Sequence, residues 1–98
     1  MNSKIPSYIS RCLPSYKISR LNLEKDKNLI ITQVLNYGDW RGIKWLYKIY
    51  SEKDIKEVVN RPCRGLWFKK VLNFWLTIFN IKLKPEKRKK AIFEIKPV

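Results

Sequence analysis

Histidine is absent from this sequence, and glycine is rare, with three residues in the whole chain. Histidine is the commonest general base, the commonest metal ligand and the usual partner of a nucleophilic serine or cysteine. The few glycines form no P-loop, no dinucleotide-binding turn and no nucleophile elbow. One enzymatic alternative, a histidine-free nuclease using Tyr, Lys and Glu, has no recognisable constellation here. We therefore expect a protein with no catalytic residues and no cofactor.

Cysteine is also scarce, because Cys12 and Cys63 are the two present and they lie far apart in the sequence. Two cysteines without neighbouring ligands do not make a zinc site, and their spacing gives no support for a disulfide. The N-terminal sequence MNSKIPSYIS lacks the apolar core of a secretory signal peptide. The most apolar segment, residues 66–80, is interrupted by lysines and is shorter than the roughly 20 residues of a membrane span. We expect a cytoplasmic protein with free thiols, no metal and no membrane association.

Acidic residues are few, and eight of them against 22 lysines and arginines give a formal net charge of +14. The excess is uneven along the chain. Residues 61–98 contain eleven bases and two acids, residues 1–23 contain four bases and no acid, and residues 24–60 are nearly balanced. This distribution predicts a folded centre with cationic flanks that attract nucleic acid, anionic lipid or an acidic protein. The alternative is that the lysines only keep the surface soluble.

Hydrophobic periodicity predicts an all-α fold, a compact bundle of about four helices. The predicted helices cover about residues 23–37, 40–50, 52–59 and 66–80. Asn22, Asp39 and Ser51 are the expected N-caps of the first three, and Gly38 is the expected end of the first. The second and third helices are separated by a very short turn, which predicts a centre resembling a helix-turn-helix.

The ends of the chain are predicted to be less regular than its centre. Residues 1–21 are interpreted as a basic, irregular lead-in, residues 22–81 as the helical domain and residues 82–98 as a basic tail. Pro85 and the charge run around it favour an extended or frayed linker. The final residues, AIFEIKPV, alternate weakly and predict either a short strand or a loose tail.

The candidate nucleic-acid contacts are cations at a loop, at a helix start and in the tail. They are Arg61, Arg64, Lys69, Lys70, Lys87, Arg88, Lys89 and Lys90. A helix start favours a phosphate, guanidinium groups make bidentate contacts with phosphate or guanine, and a charge run can follow a phosphate backbone. The alternative for the loop is a solvated turn, and for the run it is a solvated, solubilising tail.

The fourth predicted helix is apolar almost all round, which is typical of a central helix or of one pressed against another chain. On the second interpretation Trp67, Trp75 and Phe79 are candidate partner-binding residues, and a homodimer is one such arrangement. On the first they are core residues, which is the commoner role of aromatic side chains at helical spacing. The sequence leaves these alternatives open.

The segments VLNYGDW, WLYKIYSEKDIKEVV and NFWLTIFNI, over roughly residues 20–81, give the chain a family resemblance. It resembles small prokaryotic proteins encoded beside nucleotidyltransferase-type toxins of abortive-infection systems. The matching positions are Tyr37, Gly38, Trp45, Leu46, Tyr50, Ile55, Arg61, Arg64, Phe74 and Trp75. The loop departs from the pattern, because RPCRGLW stands where relatives often have a Ser-Pro helix start.

The resemblance implies the antitoxin or accessory half of a toxin–antitoxin pair, with such a toxin as partner. Together with the charge, it leads us to expect a non-enzymatic antitoxin that binds operator DNA through the second and third helices and the Arg61–Lys70 surface. One alternative is a module that neutralises an acidic toxin surface without nucleic acid. Another is an accessory protein that binds structured RNA by charge and shape.

Overall fold

The structure of the chain, a computed structural model, describes residues 5–93, and helices make up its framework. The α-helices are α1 (Lys27–Tyr37), α2 (Trp40–Ile49), α3 (Glu52–Asn60), α4 (Lys69–Ile78) and α5 (Pro85–Ala91). Two 3₁₀ helices, Ser7–Cys12 and Ile18–Arg20, precede them. Between residues 5 and 93 the extended backbone pairs once, as an isolated parallel bridge between Trp67 and Ile92. The predicted all-α fold is confirmed.

Helix α1 is the central element, and it packs on the first 3₁₀ helix, on α2, on α3 and on α4. Its middle is buried on every side, since Thr32 and Gln33 are enclosed together with the aliphatic side chains around them. The Gln33 side-chain amide donates to the Cys12 carbonyl at 3.2 Å, which supplies the buried amide with an acceptor. The fourth predicted helix is the most apolar segment of the sequence, yet in the structure α1 occupies the middle of the bundle.

Two of the three predicted N-caps, Asp39 and Ser51, are present in the structure. An Asp39 carboxylate oxygen accepts from the Gly42 N–H at 3.1 Å at the start of α2. The Ser51 hydroxyl accepts from the Asp54 N–H at 3.1 Å at the start of α3. The Asn22 side chain accepts from the N–H groups of the next residues but caps a turn ahead of α1, which begins only at Lys27. These bonds satisfy N–H groups that a helix start leaves free.

The turn between α1 and α2 is tight at Gly38. A Cβ added there would lie 2.5 Å from the Val34 carbonyl oxygen, which is backbone and cannot rotate away. We expect Gly38→Ala to lower the free energy of unfolding by about 1–3 kcal/mol, because α1 and α2 must shift to relieve the contact. Urea unfolding followed by circular dichroism measures the change. An unaltered midpoint would contradict this account of the turn.

Helix α4 is shorter than predicted, because Leu66–Phe68 is extended and the helix begins at Lys69. The Phe68 N–H donates to the Asn36 side-chain oxygen at 2.9 Å, so a side chain of α1 holds the residue before α4. At the other end Asn80 adopts a left-handed φ of 53°, and the Ile81 N–H donates back to the Leu76 carbonyl at 2.8 Å. This is a Schellman ending in which asparagine takes the place usually held by glycine.

The expectation of an extended linker around Pro85 is wrong, because residues Pro85–Ala91 form α5. Proline is well suited to the first position of a helix, where its fixed φ fits and its missing N–H costs no hydrogen bond. Ala91 is the buried residue of this helix and fixes its end to the core. The final predicted strand is represented by the single bridge at Ile92, and residues 94–98 lie outside the described residues. No helix within residues 5–93 has the length and apolar character needed to cross a membrane.

Candidate nucleic-acid interface

Two basic segments that are separate in the sequence meet in the structure. The Gly65 N–H donates to the Lys90 carbonyl at 2.9 Å, and the Trp67 N–H donates to the Ala91 carbonyl at 2.9 Å. The Phe93 N–H donates to the Trp67 carbonyl at 2.7 Å. We call this set of three bonds the clasp. It places the end of α5, with its lysines and arginine, directly beside the loop that contains Arg61 and Arg64.

The backbone of the loop is shaped for this contact. Gly65 has φ 71°, a left-handed conformation that glycine adopts without the steric cost of a Cβ. Trp67, two residues on, is fully buried, and its neighbour Phe68 packs edge-on against Phe93, with ring centroids 6.5 Å apart. The loop that contains Arg61 and Arg64, called the arginine loop below, is therefore held by backbone hydrogen bonds and by the packing of the aromatic side chains that follow it.

All eight predicted nucleic-acid contacts are exposed. Within residues 5–93 the one ion pair joins Lys27 to Asp54 at 3.6 Å, so none of the eight has a carboxylate partner there. We define the cationic surface as the exposed cations of the two segments that the clasp joins, namely Arg61, Arg64, Lys87, Arg88, Lys89 and Lys90. Lys69 and Lys70 lie just beyond it, exposed in the first turn of α4.

Helix α3, the second helix of the predicted helix-turn-helix, has a different electrostatic character. Glu52, Asp54 and Glu57 outnumber Lys53 and Lys56 on this helix. Carboxylates on the helix that enters the DNA groove would repel the DNA phosphates. The expected contact through the second and third helices therefore gains no electrostatic support from α3, although α2 contains Arg41, Lys44 and Lys48 and no acid. The cationic surface is the stronger candidate.

The candidate partner-binding residues of the fourth helix are core residues in the structure. Trp67 is 0% exposed, Trp75 7% and Phe79 9%. The Trp75 ring stacks on Phe79 with centroids 5.7 Å apart, which adds to the packing of this end of the bundle. The exposed apolar side chains of α4 are instead Phe74 and Ile78. Periodicity shows that a helix has two apolar faces, but it does not show which face the rest of the chain covers.

Sequence reasoning also missed a recess between α2 and α4. Trp40 and Tyr47 of α2 and Phe74 and Ile78 of α4 line it and remain exposed. The spacing of Trp40, Ile43 and Tyr47 puts them on one face of the second helix. The buried residues of α2 are Gly42, Trp45 and Leu46, so Trp40 and Tyr47 are left exposed. In the described part of the chain, no three Cys, Asp or Glu side chains come together as metal ligands.

Tyr50 provides a pH-dependent measure of core integrity. Its hydroxyl donates to the Leu23 carbonyl at 2.7 Å, and burial, with smaller contributions from nearby carboxylates, raises its pKa from 10.0 to about 12. The fold favours the protonated phenol, so this contribution to stability is complete below pH 10 and is lost as pH rises towards 12.

We therefore expect Tyr50→Phe to cost about 0.5–1.5 kcal/mol at neutral pH, because the hydrogen bond is lost. The difference in stability between the two proteins should then shrink over the pH range 10 to 12, since phenylalanine has no proton to lose. Urea unfolding at several pH values measures this. A difference that stays constant across that range would place Tyr50 in solvent.

No curated protein and no solved structure matches the chain. Residues 13–59 match the model of a family of unknown function, DUF6922. The match begins directly after the first 3₁₀ helix, covers α1, α2 and all but the last residue of α3, and stops before the cationic surface.

Proposed function

We propose that this chain is a small, non-enzymatic, cytoplasmic binding protein of the antitoxin type, and that it binds duplex DNA through the cationic surface. The observation that supports this most is the clasp, which joins the Arg61–Arg64 loop to the charge run of α5. A charge run in a loose tail is common and says little about binding. Two runs joined by backbone hydrogen bonds keep their backbones next to each other, which lowers the entropy lost when both bind one ligand.

The chemistry of the array suits a phosphate backbone. Arg61 and Arg64 provide planar guanidinium groups that can pair with two phosphate oxygens or with a guanine edge. The cations of α5 add charge that neutralises further phosphates and releases bound counterions. With no carboxylate paired to these side chains within residues 5–93, they are electrostatically available to a polyanion.

The antitoxin part of the proposal rests on the resemblance to proteins encoded beside nucleotidyltransferase-type toxins. An antitoxin recognises its toxin and its own operator without catalysing a reaction, which agrees with the lack of histidine in the sequence. DNA is preferred over RNA as the ligand because arginine pairs well with guanine in the wide major groove of duplex DNA. Double-stranded RNA is the competing ligand, but its major groove is too deep and narrow for side chains to read.

Fluorescence anisotropy with labelled duplex DNA tests the proposal. At about 50 mM salt we expect binding, and we expect Arg61→Glu with Arg64→Glu to weaken it by at least about tenfold. Lys53→Glu with Lys56→Glu on α3 is the matched control, because it changes the net charge equally on a different surface. Circular dichroism should show all three proteins folded.

Two results would contradict the proposal. The first is no binding of the unaltered protein to duplex DNA at low salt. The second is an equal loss of affinity in the α3 control, which would mean that net charge rather than the cationic surface determines binding. Tighter binding to duplex RNA of the same length would redirect the function to RNA.

A further inference from the structure

The recess between α2 and α4 has a volume of about 1200 Å³ and an unusual concentration of exposed apolar side chains. Trp40 is 70% exposed, Phe74 56% and Ile78 55%. Together with Tyr47 they make four of the seven large apolar side chains that are exposed within residues 5–93. Scattered exposed apolar residues are normal, but a contiguous group of this kind marks an interaction site.

The edge of the recess is positively charged. Arg41, Lys44 and Lys48 line it, against the single carboxylate of Asp39. That carboxylate accepts from the Gly42 N–H as the helix cap, and against three cations it leaves the lining with a net positive charge. The Arg41 guanidinium lies 3.7 Å above the centre of the Tyr8 ring, a cation–π contact that holds one cation at the rim.

The occupant that fits must bring apolar side chains for the walls and carboxylates for the rim. An amphipathic helix binds such a groove through its apolar residues at helical spacing. Opposite charges at the edge would direct its approach and orientation. Acidic residues on both flanks of the apolar face would meet the lysines of α2, which follow one another at the spacing of one helical turn.

Other occupants suit the recess less well. A second copy of this chain has a net charge of +14, and its α3 carboxylates accompany an apolar face that is already buried through Ile55, Val58 and Val59. An anionic bilayer takes up side chains that protrude, whereas these line a space between two helices. Single-stranded nucleic acid needs ring faces for stacking, but the aliphatic side chains of Ile43 and Ile78 form part of the walls.

We propose that the α2–α4 recess binds an acidic amphipathic helix of a partner protein. The proposal rests on the binding-protein role proposed above but uses different residues, so each can fail without the other. It also moves the partner contact of the fourth helix from Trp67, Trp75 and Phe79, which are buried, to Phe74 and Ile78, which are exposed.

A synthetic helix of about 18 residues, long enough to extend along both helices, serves as the probe. It has Leu and Phe on one face and Glu on both flanks, and a reference peptide has the same apolar face with Lys in place of Glu. We expect the acidic peptide to bind with a dissociation constant on the order of 10 µM and to shift the indole N–H signal of Trp40 in NMR spectra. The reference peptide should bind at least about tenfold more weakly.

Trp40→Ala with Phe74→Ala should weaken the acidic peptide by at least about tenfold, because both exposed side chains form the contact. Tyr16→Ala is the control, since Tyr16 is also exposed and aromatic but does not line the recess. It should leave the affinity unchanged. DNA binding by the Trp40 and Phe74 variant should also be unchanged, which separates this site from the cationic surface.

Four results would overturn the proposal. They are equal binding of the acidic and lysine peptides, no shift of the Trp40 signal at saturating peptide, a stronger shift with single-stranded oligonucleotide or phosphatidylserine vesicles, and a homodimer in sedimentation that Phe74→Ala dissociates. The last two would reassign the recess to nucleic acid, to a membrane surface or to a second copy.

Discussion

Trp67→Ala is expected to reduce the free energy of unfolding by roughly 3–5 kcal/mol, the range for removing a fully buried large aromatic side chain. Trp67 has no exposed surface, and its backbone N–H and carbonyl both take part in the clasp. The substitution therefore leaves a cavity where the cationic surface is attached. Because domains are stable by only about 5–15 kcal/mol, the loss approaches complete unfolding.

Trp67→Phe provides the matched comparison. The Trp67 indole N–H is buried and has no hydrogen-bond acceptor within residues 5–93. Phenylalanine lacks that unpaired donor and leaves a much smaller cavity than alanine does. We therefore expect a clearly smaller loss of stability than with alanine. Urea unfolding at neutral pH measures both variants. If alanine and phenylalanine cost the same, the residue is not packed as the structure describes.

Ala91→Gln is expected to lower DNA affinity by at least about tenfold, although it leaves every cation in place. Ala91 is buried at the end of α5, and its carbonyl accepts from the Trp67 N–H. A longer polar side chain cannot be enclosed there without overpacking and an unpaired amide. We therefore expect α5 to separate from the arginine loop. The cations of α5 would then no longer be held next to Arg61 and Arg64.

Glu86→Gln is the control for this prediction, since it introduces glutamine at an exposed position of the same helix. It also removes the acidic residue of α5, so DNA affinity should stay the same or rise. Anisotropy with labelled DNA gives the affinities, and hydrogen exchange at the amides of Gly65 and Trp67 reports whether the clasp has opened. Unchanged affinity in Ala91→Gln together with rapid exchange at these amides would show that the joined arrangement is irrelevant to binding.

Local signals in the sequence were sufficient to predict much of the fold. Asp39 and Ser51 cap α2 and α3 as expected, because capping depends on residues only three positions apart. The inward residues of α3, Ile55, Val58 and Val59, are buried as their spacing predicts. The all-α class follows from such local patterns, and the structure bears it out.

The parts that could not be predicted depend on contacts between distant segments. Leu66–Phe68 has the composition of a helix but is extended, because its backbone pairs with residues 91–93 and with Asn36. Pro85 and the charges around it favoured an extended or frayed linker, but Pro85 instead begins α5. In the first case a tertiary contact outweighs the helix propensity of the residues, and in the second the position at the start of the helix does so.

The same limit applies to the candidate sites. Each basic run could be identified in the sequence, but their juxtaposition rests on hydrogen bonds from Gly65 and Trp67 to α5. The recess could not be predicted, because periodicity gives a face of a helix without showing what covers it. Trp40 illustrates this, since it starts a helix whose buried residues lie on another face.

The salt dependence of duplex DNA binding tests the central claim most directly, namely that the arginine loop and α5 form one cationic surface. If six cations neutralise phosphates, the logarithm of the binding constant should fall against the logarithm of salt concentration with a slope of about −5. Arg61→Gln with Arg64→Gln should make the slope less steep by about 2, and replacing the four cations of α5 with glutamine should do so by about 3–4. A protein with all six replaced keeps its other cations, so its slope should flatten to the small residual value that these give, whereas an unaltered slope in that protein would contradict the account.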